Sequence, residues 1–320
     1  MINILSLISE DVHTVAIAGH VRPDGDCMGS TLAVYNYLTE NRSDIEVTLF
    51  LEKAGPELLV LKNSEKIVNE PTPAQYDTRY DLFIALDCAD SDRMGFAEKI
   101  FKRAKHTVCF DHHISNQGYA DENYIFPDAS STCEVMFESF EENLISKDVA
   151  ECLYTGIIHD TGVFHHSCTK RRTMEIAGIL MEKGIPFDKI IDKSFYAKTY
   201  LQNQVLGRCL AESILLADGK VVASYLTHKN MELYGVTSND LGGVVDQLRL
   251  TDGIDVAIFT YETAIPNQFK VSLRSTGKVD VNKVAGSFGG GGHIMAAGCV
   301  LSGNPLDVIE KLVLRIEEQL

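Results

Sequence analysis

Four separated stretches of this 320-residue chain place aspartate and histidine where apolar runs end. GHVRPDGDCMGS (19–30) follows the apolar TVAIA and carries His20, Asp24 and Asp26. IALDCAD supplies Asp87, CFDHHIS supplies Asp111, His112 and His113, and TGIIHDTGVF supplies Asp160. A single aspartate after a strand is ordinarily a helix cap or turn former, and Asp160 reads equally well as the cap of the turn at Thr161–Gly162. Capping alone explains four such ends poorly. Carboxylates gathered in an interior repel one another and must be paired or neutralised, which a divalent cation does. Mixed Asp/His donors without thiolate suit Mn²⁺ or a similar ion better than a structural zinc site. The donors are too many for one ion with an open position. Two ions about 3.5–4 Å apart, sharing one carboxylate, fit the count and would prime water for in-line attack on a phosphate ester.

A second stretch, SFGGGGHIMAAG (287–298), runs through Gly289, Gly290, Gly291 and Gly292 to His293. Consecutive glycines cost backbone entropy, and a bare run is often a flexible link. This run lies between apolar segments, and glycine amides can approach an anion closely. It is neither a GxGxxG element nor a Walker loop. VSLRS supplies Arg274 with Ser275 beside it. Alone, Arg274 would be a surface strand charge; with glycine amides and a histidine it reads as a phosphate or nucleotide site.

The elements that must position these groups are legible as patterns. TVAIAG (14–19), VTLFL (47–51), DLFIALD (81–87) and HTVCFD (106–111) read as strands buried on both faces. GSTLAVYNYLTE, RMGFAEKIFKRA, STCEVMFESFEENL and DVAECLYTGIIHD have helical spacing. Such alternation predicts an α/β domain with a parallel sheet flanked by helices, presenting its functional residues at the carboxyl ends of its strands. RRTMEIAGILMEKG is a further helix, stopped by Gly184 and followed by Pro186. Beyond a polar helical stretch the texture changes to KVVASYLT, DVAIFTYET and FKVSLRS, alternating strands with hairpin-like joints. SNDLGGVVDQLRL reads as a helix with Ser238 at its N-cap, and PLDVIEKLVLRIEEQL as a closing helix. The expected layout is a catalytic domain over 1–186, a helical connector over 187–213 and a smaller α+β domain over 214–320, with substrate in a cleft between the domains.

The formal net charge of −16 argues against long duplex nucleic acid as a partner; a small anion held locally by metal ions remains compatible with it. Eight scattered cysteines form no CxxC pair, so they read as reduced core thiols and not as a zinc ribbon. The start, MINILSLISEDVH, has no basic leader region and is interrupted by Glu10 and Asp11. No run is long enough to span a bilayer. No membrane partner is expected, and a cytoplasmic location is the default.

Taken in order, HVRPDGDCMGS, LDCAD, DHH (111–113) and HDTGVF resemble the four motifs of the DHH phosphoesterase superfamily, and SLRS followed by GGGGH resembles its DHHA1 domain. Nearly the whole chain is covered, and the likeness is greatest to the stand-alone NanoRNase/pAp phosphatase group related to RecJ exonucleases. The resemblance implies that His20 and Asp24 hold a first metal, that Asp87 bridges, and that Asp26, His112 and Asp160 complete a second. It implies that His113 faces the substrate phosphate with Asp111 orienting the histidine pair, and that Arg274, Ser275 and Gly289–His293 bind nucleotide. Cys27 receives no role, and His159, His165 and His166 read as loop residues beside the fourth motif. The implied cofactor is Mn²⁺, two per site, with Mg²⁺ or Co²⁺ as substitutes, and the implied assembly is a homodimer. The implied reaction is hydrolysis of very short 5′-phosphorylated RNAs, such as pGpG or pApA, to mononucleotides. Alternatives are phosphatase action on 3′-phosphoadenosine 5′-phosphate, hydrolysis of cyclic dinucleotides, and a nucleotide-sensing module without turnover. An inorganic pyrophosphatase would share the first-domain motifs but not the GGGGH domain.

Overall fold

The computed structural model describes residues 2–320 and divides the chain between Ala197 and Lys198 into two units. The first is built on five parallel strands, β1 (Thr14–Ala18), β2 (Glu46–Phe50), β3 (Leu82–Leu86), β4 (His106–Asp111) and β5 (Glu122–Ile125), in the order β2-β1-β3-β4-β5. The apolar runs are continuous because both faces of the sheet are covered. Val15, Ile17, Leu82, Ile84 and Leu86 enter one core, while Ala16, Ala18, Phe83 and Ala85 enter another on the opposite face. The chain leaves β1 for the edge strand β2 and returns across the sheet to β3. That reversal opens a crevice at the carboxyl ends of β1 and β3, where open α/β sheets place their ligands.

Two helices pack closely beside this crevice. Gly25–Asn41 starts earlier than its apolar spacing suggests, because Asp24 caps it, its carboxylate accepting from the N–H groups of Asp26 and Cys27. Lys147–Asp160 crosses it at small residues: a Cβ on Gly29 would lie 2.6 Å from the Cys152 carbonyl oxygen. The stretch RMGFAEKIFKRA is not one helix. Gly95 adopts φ +57° and kinks the 3₁₀ segment Ser91–Ala97, which the short helix Glu98–Phe101 follows.

The second unit has a six-stranded mixed sheet, ordered β10-β11-β9-β8-β7-β6. Its strands are β6 (Ile214–Leu216), β7 (Val221–Leu226), β8 (Val256–Glu262), β9 (Gln268–Ser275), β10 (Gly291–His293) and β11 (Ala296–Ser302). Only β7 and β8 pair in parallel; the other neighbours are antiparallel. Strand alternation feeds two cores. Val271 and Leu273 meet the helices Val281–Gly286 and Pro305–Glu317, whereas Val222 and Ala257 meet residues of Tyr200–Ala211 and Val244–Arg249. SNDLGGVVDQLRL is also broken: Thr237, not Ser238, caps a 3₁₀ turn over Ser238–Leu241, and Gly243 at φ +82° precedes the helix Val244–Arg249. The stretch 187–213 divides. Phe187–Ile190 and the π-helical turn Ile191–Tyr196 lie in the first unit, and Tyr200–Ala211 lies in the second. No described helix is long and apolar enough to cross a membrane.

Candidate metal centre

The adjacent ends of β1, β3 and β4 deliver three of the four predicted donor groups. His20 follows β1, and its Nδ1 lies 2.9 Å from the Val21 carbonyl oxygen. A carbonyl can only accept, so Nδ1 carries the proton and Nε2 is left as a donor atom for a cation. That Nε2 is 3.4 Å from Asp87 Oδ2 and 3.6 Å from Asp24 Oδ1. Asp87 follows β3 in a left-handed conformation, φ +57°, which aspartate adopts more readily than most residues but still at some cost. Its N–H is anchored to the Phe110 carbonyl, and Thr132 Oγ1 donates to its Oδ1 at 3.1 Å.

Asp26 lies in the first turn of Gly25–Asn41 and is fully buried. The N-terminal amides of the helix Thr132–Ser139 clamp it: Thr132 N–H donates to Oδ2 at 2.6 Å and Cys133 N–H to Oδ1 at 2.9 Å. A carboxylate at a helix N-terminus is favoured by both the free amides and the dipole. Asp160 closes the helix Lys147–Asp160. Gly162, Val163 and Phe164 after it all have φ between 54° and 64°, unusual for a β-branched and an aromatic residue. Thr161 holds that turn, its hydroxyl donating to the Ile157 carbonyl and accepting from the Phe164 N–H.

His112 is the hub. Its Nε2 lies 3.1 Å from Asp160 Oδ2, 3.7 Å from Asp87 Oδ1 and 3.9 Å from Asp26 Oδ2. Donor atoms group as His20–Cys27–Asp87, as Asp87–His112–His113 and as Asp26–His112–Asp160, each set within 4.8 Å. Asp87 and His112 are shared, so the groups form one contiguous centre. Asp24 stands at its rim, its side chain 60% exposed and already capping a helix. Asp111 is fully buried and turns away from the hub toward His113 and Asn116, accepting from His113 Nδ1 at 2.7 Å and Asn116 Nδ2 at 2.6 Å.

The electrostatics describe a centre short of positive charge. Burial, then Asp87 and Asp160, push the Asp26 carboxyl well above the usual carboxylate range. Burial lifts Asp160 to about 6, with His112 opposing and Asp87 reinforcing the rise. Burial disfavours the imidazolium forms of His20 and His112, yet the surrounding carboxylates overcome it and raise both to about 10. Among the described residues no lysine or arginine pairs with Asp26, Asp87 or Asp160; their only ionic partners are imidazoles. Converging carboxylates with imidazole nitrogens and no fixed cation are the donor set a divalent metal requires.

Sequence reasoning gave no place to Thr132, Asn116 or Cys27. The Cys27 thiol is fully buried, and burial followed by Asp87 pushes its pKa well up, so it stays protonated in the described arrangement. In the second unit, Arg274 on β9 donates from Nε to Asp246 Oδ1 at 2.7 Å and from Nη1 to the Leu273 carbonyl. Ser275 beside it is buried and accepts from the Gly277 N–H. The glycine run is only partly a loop, because Gly291–His293 forms β10 against β11. Gly290 and Gly292 are needed for that close pairing: a Cβ would lie 2.2 Å from the Gly298 carbonyl oxygen and 2.5 Å from that of Ala296, respectively. His293 is exposed.

Comparison with known proteins finds two family domains in the chain. The DHH family N-terminal domain matches residues 14–157 and the DHHA1 domain matches residues 218–320. The bifunctional oligoribonuclease and PAP phosphatase NrnA of Bacillus subtilis is 25% identical over 290 residues, covering 89% of this chain and 88% of its own. The Thermus thermophilus protein of the same name is 25% identical over 96% of this chain and 90% of its own. A crystal structure of an exopolyphosphatase-related protein from Bacteroides fragilis superposes with a TM-score of 0.88 at 25% identity, covering 97% of this chain and 93% of that one. With both domains in sequence order and the acidic–imidazole centre at the sheet edge of the first, the chain belongs to the DHH–DHHA1 family.

Proposed function

We propose that this chain is a two-metal phosphoesterase that hydrolyses very short 5′-phosphorylated oligoribonucleotides to mononucleotides. One observation carries the reading: donors from three strand ends and two helices meet around His112 and Asp87, and among the described residues no lysine or arginine balances them. The relatives named as oligoribonuclease and PAP phosphatase support the same class of bond and substrate.

His20, Asp24 and Asp87 would hold one ion, and Asp87, Asp26, His112 and Asp160 the other, with Mn²⁺ favoured by the donor set. Bound there, the pair supplies a nucleophile at neutral pH and stabilises charge on phosphoryl oxygens. The chain's own residues have separate tasks. Asp87 lies within reach of both donor groups and ties them together. The Thr132 and Cys133 amides fix the orientation of Asp26. Asp111 fixes the ring of His113 through Nδ1, leaving Nε2 of that half-exposed histidine to bond a substrate phosphate. In the second unit Arg274, with two N–H groups already committed, has Nη2 left to donate to a substrate anion. Within the Gly289–His293 segment the Gly289 and Gly290 N–H groups already donate to the Gly286 and Ala285 carbonyls, so its contribution would come from the strand Gly291–His293 and the exposed His293 side chain. The net charge of −16 favours a short substrate drawn in locally over a long polyanion.

The test is a side-by-side rate comparison, with Mn²⁺, of pGpG and pApA, a ladder of longer 5′-phosphorylated RNAs, 3′-phosphoadenosine 5′-phosphate and cyclic dinucleotides. Mononucleotide release fastest from the shortest linear RNAs is expected. Turnover confined to 3′-phosphoadenosine 5′-phosphate or to cyclic dinucleotides would replace the substrate assignment.

A further inference from the structure

We infer that His159 is a positioning residue that couples the last segment of the first unit to the metal centre. His159 immediately precedes Asp160 and ligates nothing in the donor groups. Its ring presses on Gly25, the residue between Asp24 and Asp26. A Cβ on Gly25 would lie 2.1 Å from His159 Cγ and 2.5 Å from Nδ1, so only glycine admits the imidazole there. The ring's other side meets the π-helical turn Ile191–Tyr196. Ser194 Oγ donates to the Ile190 carbonyl at 2.8 Å and lies 3.2 Å from His159 Nε2. A hydroxyl whose proton is committed can only accept, so Nε2–H donates to Ser194 and Nδ1 is the bare nitrogen over Gly25. Phe195 adds an edge-on contact, with ring centroids 5.4 Å apart at 82°.

One side chain therefore touches the backbone between two proposed ligands, is covalently next to a third, and is gripped by a π turn. Such turns are rare and recur at functional sites. The turn ends at Tyr196, directly before the boundary at Ala197–Lys198 where the chain passes to the second unit. A displacement of this segment moves Ser194 and Phe195, hence the His159 ring, hence the Asp24–Gly25–Asp26 turn. Geometry at the metal centre is in this way tied to the segment leading to the second unit.

The inference rests on the reading of Asp24, Asp26 and Asp160 as metal ligands, and its test separates the two. Mn²⁺ binding is measured by loss of the free-ion electron paramagnetic resonance signal on titration with metal-free full-length protein, for wild type, Asp87→Asn, His159→Ala, His159→Gln, Ser194→Ala and the His159→Ala/Ser194→Ala pair. Wild-type binding lost in Asp87→Asn establishes the centre; its absence in wild type overturns that reading. Against that baseline His159→Ala should weaken Mn²⁺ binding about tenfold, the scale of losing an orienting residue. His159→Gln, which keeps an N–H for Ser194, should recover part of it. Ser194→Ala should weaken binding in the same direction, and the double variant should be no weaker than His159→Ala alone. Unchanged Mn²⁺ affinity in folded Ser194→Ala and His159→Gln, with only thermal stability altered, would reduce His159 to a packing residue and overturn the coupling. Ser194→Ala keeps the test open if His159→Ala does not fold.

Discussion

Asp111 holds His113 by one oxygen, Oδ1 to Nδ1 at 2.7 Å, while its other oxygen accepts from Asn116. The carboxylate is fully buried and kept ionised against that burial by His113 and Asn116. It fixes the tautomer and the orientation of the imidazole at once. Asn116 also donates to the Cys88 carbonyl, so it pins the loop after β4 to the loop after β3.

Asn116→Ala should therefore lower kcat about tenfold with Mn²⁺ binding retained, because His113 loses a fixed pose while His20, Asp87 and His112 keep theirs. It should also cost about 1–3 kcal/mol of stability by leaving a buried Asp111 oxygen unpaired. Steady-state kinetics and urea unfolding read the two effects separately. A fully active variant would remove Asp111 from the orienting role.

Asp87→Ala should abolish turnover more completely than Arg274→Ala. Asp87 belongs to two of the three donor groups and lies 3.7 Å from His112 Nε2, the hub of the third, so its loss disorganises the whole centre. Arg274 contributes through substrate affinity, and its variant should raise KM with kcat little changed. Asp246→Ala should copy the KM effect more weakly, since Asp246 only holds the guanidinium in place. A drop in kcat alone for Arg274→Ala would contradict a binding role.

Much of the centre was legible because the first sheet is buried on both faces. Uninterrupted apolar runs then end abruptly at the residues that matter, and HTVCFD coincides with β4. What was not legible depends on tertiary contact. Thr132 reaches Asp87 across 45 residues, and its amide reaches Asp26 across 106, so no local pattern marks it. The glycine run illustrates the opposite limit. Its composition suggested anion-binding amides, yet at Gly290 and Gly292 the absence of Cβ is already required by the pairing of β10 on β11. Anion binding there needs its own test.

Gly156→Ala probes the closest packing under the centre. A methyl group there would lie 2.2 Å from Cys133 Sγ and 2.7 Å from Asp26 Oδ1. Overpacking should cost about 1–3 kcal/mol, and the displaced Asp26 should weaken Mn²⁺ binding. Denaturation midpoints and metal titration together check this, and Gly178→Ala, where a Cβ meets nothing within 4 Å, is the control.

Protons and metal compete for the same atoms, and the sign of the pH dependence follows. Without an ion, the carboxylates around His20 and His112 raise both pKa values to about 10, so both are largely protonated at neutral pH. Asp160, raised to about 6, holds its proton over part of the mildly acidic range. A metal binds only the deprotonated forms, so each ion must expel these protons. Below those pKa values, apparent affinity should rise with pH by about tenfold per unit for each proton displaced. Calorimetric titration of Mn²⁺ in buffers of different ionisation enthalpy counts the protons released. Asp160→Asn removes the ion pair at 3.1 Å that holds the His112 proton, so it should lower the His112 pKa and flatten this slope even as it weakens the site. Affinity independent of pH between about 6 and 8 would mean that the imidazoles are not the metal's donors.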